Sequence, residues 1–107
     1  MSDVKQADVQ TITAWVDAGE AVIIDVRETQ EYAMTHGPGS IHIPMSAFNP
    51  DALPSIKDSH HLVFMCAVGQ RSQAVASQLL SGNYISSAVN MIGGIQAWEM
   101  AGYPVST

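Results

Sequence analysis

The chain has 107 residues, of which 47% are hydrophobic, and its ten acidic and four basic side chains give a formal net charge of −6. This length suits one hydrophobic core, so we expect a single domain spanning residues 1–107. The four scattered cations form no phosphate-binding surface, which argues against a nucleic-acid partner. No apolar window is long enough to span a membrane, and the N-terminal segment lacks the features of a secretory signal. We therefore expect a cytoplasmic protein with no membrane association.

The first half of the chain alternates between helix and strand patterns. Residues 8–19 predict an amphipathic helix, with Asp8 as its N-cap and Gly19 just past its end. The apolar face of this helix comprises Val9, Ile12, Trp15 and Val16. Residues 21–26 (AVIIDV) are apolar and mostly β-branched, which is typical of a strand covered on both faces. A short helix (28–34), a turn (36–40) and a short strand closed by proline (41–44) follow in that order.

The second half repeats the alternation after an irregular, proline-containing segment (45–59). Residues 61–65 predict a second buried strand, and residues 71–83 predict a helix that ends at Gly82. The inward side chains of this helix are Val75, Ala76, Leu79 and Leu80. A third main strand (87–92) and a final helix (93–102) complete the chain. This order predicts an α/β fold with a mainly parallel central sheet flanked by helices on both faces.

The single cysteine, Cys66, follows the strand at 61–65, and ligands of parallel sheets bind at this carboxyl edge. A short loop leads from Cys66 to a helix expected to open near Ser72, so backbone N–H groups and the positive end of the helix converge on the sulfur. Such a cradle binds an anion and lowers the pKa of the thiol. The candidate anion-binding residues are Ala67, Val68, Gly69, Gln70, Arg71 and Ser72. The alternative is that Cys66 is a small buried apolar residue.

Four segments, in this order, resemble the motifs of single-domain rhodaneses (thiosulfate sulfurtransferases) and together cover nearly the whole chain. They are IIDVRETQEY, HGPGSIHIP, CAVGQRS and MIGGIQAWEMAGYP. The resemblance implies a rhodanese-like α/β domain in which Cys66 is the catalytic residue and becomes a persulfide. It implies a sulfur donor such as thiosulfate or a persulfide, and cyanide or a thiol as acceptor. A sulfur-relay protein is a further expected partner, and no cofactor is expected.

Three further residues are expected to support the site. Asp25 and Arg27 are predicted to form a structural ion pair in the turn after the first buried strand. His36 lies where the chain departs from the family pattern, which usually has Gly-His-Ile before Pro-Gly, and it is either a substrate contact or an ordinary loop residue. The resemblance leaves two roles open for Arg71, because this residue either orients the loop or holds an anionic donor.

The remaining histidine, methionine and tryptophan residues are expected to have no part in the chemistry of the site. His42, His60 and His61 have no recognised zinc spacing with Cys66, so no metal site is expected. The methionines expected to fill gaps in the core are Met34, Met45, Met91 and Met100. Trp15 and Trp98 are expected to pack on the sheet.

Two other functional classes remain as alternatives. Cysteine phosphatases also place an arginine at the end of an anion-binding loop, but five residues separate their cysteine and arginine. Four residues separate Cys66 from Arg71, and this tighter loop suits one sulfur atom better than a tetrahedral phosphate. A rhodanese-like domain can also serve as a non-catalytic binding module, but the presence of Cys66, Gly69 and Arg71 argues against this function.

Overall fold

The computed structural model describes residues 3–107, which form a five-stranded parallel sheet and four α-helices. The strands are β1 (Lys5–Ala7), β2 (Ala21–Asp25), β3 (Ile41–His42), β4 (His61–Met65) and β5 (Val89–Met91). The helices are α1 (Val9–Asp17), α2 (Thr29–Met34), α3 (Gln70–Ser81) and α4 (Gly94–Met100). The strand order β1-β5-β4-β2-β3 places β4 at the centre of the sheet. The predicted α/β architecture is therefore confirmed.

Side chains that alternate along the central strands build two cores, one on each face of the sheet. Ile23 and Val63 belong to the first core, while their neighbours Ile24 and Phe64 belong to the second. Helices α1 and α4 cover the first core with Val9, Ile12, Ile95 and Trp98. Helix α3 covers the second core with Val75, Ala76 and Leu79. Both faces of β2 and β4 are buried, which explains why these strands read as continuous apolar runs.

Strand β1 was not predicted from the sequence. It is only three residues long, and Lys5 and Gln6 are exposed, so its side chains show no useful alternation. Its backbone pairs in parallel with β5, with Lys5 opposite Val89 and Ala7 opposite Met91. Pairing with the edge of β5 satisfies backbone groups that would otherwise have no partner. The strand therefore depends on a tertiary contact that cannot be predicted from its own three residues.

Several element boundaries differ from the predictions by a few residues. Helix α3 begins at Gln70 instead of near Ser72, so Arg71 and Ser72 lie in its first turn. Strand β3 ends at His42, two residues before the proline, although the backbone N–H of Ile43 still donates to Asp25 (3.0 Å). The expected N-cap of α1 is confirmed, because Asp8 accepts a hydrogen bond from the backbone N–H of Thr11 (2.9 Å).

The prediction that the four methionines fill the core is wrong for three of them. Met91 is buried in β5, but Met34 and Met100 are 75% and 88% exposed, and Met45 is exposed as well. Met34 and Met100 are the last residues of α2 and α4, and their side chains lie in solvent and not in the core. The prediction for the tryptophans is confirmed, because Trp98 is buried and Trp15 packs against the same core.

His61 and Cys66 lie at opposite ends of β4. His61 starts β4 and stacks on Trp15 (3.7 Å between ring centroids), whereas Cys66 follows the end of the same strand. The length of this strand separates the two residues by roughly 15 Å. Within residues 3–107, no three His, Cys, Asp or Glu side chains cluster in a way that could hold a metal ion.

None of the helices described here has both the length and the apolar character needed to cross a lipid bilayer.

Candidate active site

The sulfur of Cys66 lies between the end of β4 and the first turn of α3. Its Sγ accepts hydrogen bonds from the backbone N–H of Gly69 (3.1 Å) and from the hydroxyl of Ser72 (3.3 Å). Gly69 is the N-cap of α3 and has φ of +103°, a conformation that side chains with a Cβ rarely adopt. The glycine therefore lets the chain reverse tightly enough to turn its N–H group back onto the sulfur.

The N-terminal turn of α4 holds the carbonyl groups of the loop. The backbone N–H of Ile95 donates to the carbonyl of Cys66 (2.9 Å), and that of Gln96 donates to Ala67 (3.2 Å). In a trans peptide the C=O and the following N–H point in opposite directions, so these contacts turn the N–H groups of Ala67 and Val68 away from α4. The loop thus presents its hydrogen-bond donors on the side opposite α4.

Gly94 makes this close approach between α4 and the loop possible. A Cβ at position 94 would lie 2.4 Å from the carbonyl oxygen of Cys66 and 2.5 Å from that of Ala67. Gly94 also has φ of +59°, so both space and conformation favour glycine. This contact with the cysteine loop was not predicted, although the paired glycine before the last helix was an available signal in the sequence.

A polar network that begins at the buried Ser72 hydroxyl lies next to the sulfur. The Ser72 hydroxyl lies 2.6 Å from Asn90 Oδ1, and Asn90 Nδ2 donates to the carbonyl of Gly69 and to Gln6 (3.1 Å each). Because Asn90 Nδ2 contacts two acceptors, Oδ1 is the end that faces Ser72. The hydroxyl has one hydrogen to share between Asn90 and Cys66. Asn90 was missed from the sequence, although a polar residue within an apolar strand pattern was an available signal.

The surroundings of Cys66 act on its thiol in two directions. Burial by itself would raise the pKa of Cys66, since the residue is only 1% exposed. Hydrogen bonds from the Ser72 hydroxyl and from the backbone N–H groups of Ser72, Gly69 and Val68 stabilise the thiolate and outweigh burial. The pKa of Cys66 is therefore lowered from its ordinary value, and the thiolate becomes easier to form.

Arg71 contacts a carboxylate on a different element. Its Nη1 and Nη2 atoms donate to Oε1 and Oε2 of Glu31 in α2, at 2.7 and 2.9 Å. Arg71 lowers the pKa of Glu31 to about 2, and Glu31 in turn raises the pKa of Arg71. This two-point contact joins the first turn of α3 to α2. Glu31 was not among the site residues predicted from the sequence.

Asp25 and Arg27 form a second, buried ion pair at the end of β2. Arg27 Nη2 lies 2.8 Å from Asp25 Oδ2, and the backbone N–H of Arg27 donates to Asp25 Oδ1 (2.9 Å). The guanidinium also donates to the carbonyl of Thr35 (2.6 Å), just after α2. Asp25 pairs in register with Met65, the residue before Cys66, so this turn forms a rigid frame beside the loop.

The side chain of His36 packs against Tyr32 and makes no hydrogen bond to the sulfur of Cys66. Its ring stacks on Tyr32 (4.0 Å between centroids), and its Nδ1 lies 2.9 Å from the carbonyl of Tyr32. Its backbone forms an antiparallel bridge with Ser106. His42 stacks on the other face of Tyr32 (4.4 Å). These contacts place His36 among the groups that hold α2 and the turn after it.

The predicted anion-binding residues other than Arg71 take different places around the sulfur. Gly69 and Ser72 contact the sulfur directly, and the Val68 backbone N–H also stabilises the thiolate. Ala67 contributes its carbonyl to the contact with α4. The side chains of Val68 and Gln70 are exposed. The structure thus assembles a donor-lined cradle around Cys66.

Comparison with known families agrees with this architecture. The family model described as the rhodanese-like domain matches residues 8–101, which is most of the chain. The chain therefore belongs to the rhodanese-like domain family, and the sheet and helices described above are its rhodanese-like α/β fold.

Individual relatives show how widely the family is distributed. Thiosulfate sulfurtransferase GlpE from Pseudomonas fluorescens is 31% identical, with 100% of this chain and 94% of that protein covered. The Arabidopsis thaliana protein HIGH ARSENIC CONTENT 1, mitochondrial, is also 31% identical, with 96% of this chain covered, but the chain spans only 66% of that protein's length. A solved Rhodopseudomonas palustris structure, described as a protein of unknown function and possible tyrosine phosphatase, is 25% identical with a TM-score of 0.79, covering 96% of this chain and 85% of that one.

Proposed function

We propose that this chain is a single rhodanese-like domain that acts as a sulfurtransferase through a persulfide on Cys66. The observation that carries the proposal is the cradle around Sγ, which receives hydrogen bonds from Gly69 and Ser72 at the N-terminus of α3. The name of the Pseudomonas relative supports the same class of reaction. The single cysteine, which excludes an internal disulfide, agrees with the reducing cytoplasm as its location.

The reaction has two displacement steps. In the first, the Cys66 thiolate attacks the outer sulfur of thiosulfate, the S–S bond of the donor breaks, and sulfite leaves with the bonding electron pair. In the second, cyanide or a thiolate attacks the outer sulfur of the Cys66 persulfide, and the Cys66 thiolate leaves. A sulfur-relay protein with a reactive thiol is an equivalent acceptor. No oxidant or cofactor is needed, because each step exchanges one sulfur bond for another.

The cradle serves both steps. The lowered pKa of Cys66 favours the attacking thiolate in the first step and the leaving thiolate in the second. The backbone N–H groups from Val68 to Ser72 are the donors that would hold the outer sulfur of the persulfide as an anion. Cys66 is 1% exposed, so the donor has to present its sulfur end first.

Loop length supports sulfur chemistry over phosphate chemistry. Four residues lie between Cys66 and Arg71, so the ring of amides is one residue shorter than the cysteine phosphatase loop. Arg71 also has both of its Nη atoms engaged by Glu31, whereas a phosphatase needs its arginine to grip the phosphate. The alternative of a non-catalytic binding module does not account for the polar network that surrounds the sulfur.

Mass spectrometry of the intact protein tests the proposal. After incubation with thiosulfate or an organic persulfide, the mass should increase by one sulfur atom, and cyanide should remove that atom as thiocyanate. Cys66→Ser should lose both the mass increase and the transfer to cyanide, by at least about a thousandfold, because the nucleophile is gone. Circular dichroism should show that this variant keeps the fold, since serine can accept the same two hydrogen bonds.

Two results would contradict the proposal. One is sulfur transfer that survives in Cys66→Ser. The other is hydrolysis of an aryl phosphate that depends on Cys66 and is comparable in rate to sulfur transfer. A protein that neither takes up sulfur nor hydrolyses phosphate would instead favour the binding module.

A further inference from the structure

The four basic side chains of the chain leave little positive charge near Cys66. Arg27 is buried against Asp25, and Arg71 is engaged by Glu31. Lys5 begins β1, and Lys57 lies in the segment that leads into β4. All strands are parallel, so both lysines belong to the amino edge of the sheet, opposite the loop that follows β4. Among the described residues, no arginine or lysine at the Cys66 edge is therefore free of a carboxylate partner.

Glu31 is the residue that neutralises the edge where Cys66 lies. The contact with Arg71 is a fork in which each Nη atom meets one carboxylate oxygen, at 2.7 and 2.9 Å. Both side chains are 35% exposed, so the pair lies at the surface of the Cys66 edge and has a combined charge of about zero. Glu28, in the same turn as Glu31, adds a further negative charge in the neighbourhood of Arg71.

Apolar side chains flank the mouth of the loop. Val68 is 47% exposed at the tip of the loop, and Ile92, which follows β5, is 50% exposed. The two segments lie against each other, because a Cβ on Gly69 would be 3.3 Å from the carbonyl oxygen of Met91. The edge that a donor approaches thus offers apolar surface and neutralised charge. These features suit an organic group better than a small dianion.

We propose that Glu31 determines donor specificity, so that the site prefers sulfane-sulfur donors with an organic substituent and at most one negative charge over the thiosulfate dianion. Organic persulfides and thiosulfonates belong to the preferred class. This inference rests on the proposed sulfurtransferase function. Glu31 acts on specificity through Arg71 and does not touch the reacting sulfur.

Methanethiosulfonate and thiosulfate provide matched probes of donor charge. With either donor, the Cys66 thiolate forms a new S–S bond to the outer sulfur, and the original bond of the donor to that sulfur breaks. The leaving group is methanesulfinate from the monoanion and sulfite from the dianion, each departing with the bonding electron pair. The Cys66 persulfide product is the same, so a difference in rate reports on recognition of the donor and on its leaving group.

The experiment compares the native protein with Glu31→Gln and Asp17→Asn. Sulfur uptake from each donor is followed by mass spectrometry at several donor concentrations and at one fixed pH. Glutamine keeps the size of Glu31 and an acceptor for Arg71 but removes the charge. Asp17 ends α1, at the amino edge of the sheet, so Asp17→Asn makes the same change in net charge far from Cys66.

The native protein should have a higher kcat/KM with methanethiosulfonate than with thiosulfate. Glu31→Gln should raise kcat/KM for thiosulfate roughly five- to tenfold and for methanethiosulfonate roughly two- to threefold, because an unpaired cation attracts a dianion about twice as strongly as a monoanion. The gain for thiosulfate should shrink as the ionic strength increases. Asp17→Asn should leave the ratio of kcat/KM for the two donors unchanged.

The inference is overturned if the ratio of kcat/KM for the two donors is the same in the native protein, Glu31→Gln and Asp17→Asn. A native preference for thiosulfate would also overturn it. Both kcat/KM values of a variant are measured on the same preparation. A partial loss of folded protein lowers the two values equally and therefore does not change their ratio. Failure of both donors to load Cys66 in any protein would instead contradict the proposed sulfurtransferase function itself.

Discussion

Arg27 and Arg71 follow the ends of the neighbouring strands β2 and β4, and each forms a close contact with a carboxylate. Arg27 pairs with Asp25, two residues away in the same turn, and both side chains are almost completely buried. Arg71 pairs with Glu31, forty residues away on α2, and both side chains are 35% exposed. The same residue type at the same edge of the sheet therefore has two uses. The buried pair fixes a turn, whereas the exposed pair joins α2 to the cysteine loop and can be opened without exposing a core.

The two turns also use their backbone donors differently. In the first turn, the N–H of Arg27 is satisfied by the Asp25 carboxylate. In the second turn, the N–H of Gly69 points at the sulfur of Cys66, whose protonation state can change. The backbone N–H of the first turn is therefore already paired with a carboxylate. The backbone N–H of the second turn remains available to stabilise an anionic sulfur.

The largest expected effect on stability comes from breaking the buried pair. Arg27→Met leaves the Asp25 carboxylate buried without a partner, so we expect a loss of about 3–5 kcal/mol in the free energy of unfolding, measured by urea denaturation. Arg71→Met is the matched control and should cost less than about 1 kcal/mol, because its pair is exposed to solvent. Equal losses in the two variants would show that burial does not distinguish the two arginine turns.

Gly94→Ala should disturb the second turn through its contact with α4. Its Cβ would clash with the carbonyls of Cys66 and Ala67, so we expect a loss of roughly 2–4 kcal/mol and at least about a tenfold loss of sulfur uptake. Gly102→Ala is the control, since Gly102 has a similar φ of +82° but open space around it, and it should cost about 1 kcal/mol. If Gly102→Ala lowers sulfur uptake as much as Gly94→Ala does, the contact with α4 does not shape the cradle.

Ser72→Ala should alter the titration of Cys66 more than the stability of the fold. The variant removes a donor to the thiolate, so the pKa of Cys66 should rise and the pH dependence of sulfur uptake should shift to higher pH. It also leaves Asn90 Oδ1 without its donor, at a cost of about 1–2 kcal/mol in the free energy of unfolding. The ultraviolet absorbance of the thiolate reports the titration of this single cysteine directly. Ser77→Ala, an exposed change on the same helix, should leave the titration unchanged, and a pKa that does not move in Ser72→Ala would remove Ser72 from the cradle.

The smallest expected effect is the acid sensitivity of the exposed pair. The pKa of Glu31 is lowered to about 2 from an ordinary value of 4.5, so the carboxylate contributes its stabilisation fully above about pH 4.5 and loses it as the pH falls through about 2. Solvent screening limits this contribution to less than about 1 kcal/mol. Glu31→Gln should therefore be slightly less stable than the native protein at neutral pH and equally stable near pH 2. If the stability difference between the native protein and Glu31→Gln stays constant from neutral pH to about pH 2, the negative charge of Glu31 is not its cause.

Local patterns in the sequence determined most of the framework. The apolar runs at β2 and β4 were sufficient to predict buried parallel strands, because both faces of these strands are covered. Asp8 and Gly82 marked helix ends through capping preferences that act within a few residues. Cys66, Gly69 and Ser72 were predicted together because the loop and the start of α3 are contiguous in the chain. The pair of Asp25 and Arg27 was predicted for the same reason.

The tertiary structure decided the contacts between residues that are distant in the chain. Strand β1 exists because the edge of β5 offers it backbone partners, and its own side chains carry no strand pattern. Glu31, Asn90 and Gly94 reach the loop only because the strand order brings α2, β5 and α4 to the same edge of the sheet. The choice of Glu31 as the partner of Arg71 depends on distance and exposure in the folded protein. Such properties arise from the packing of whole elements, and a residue pattern limited to neighbours in the sequence does not contain them.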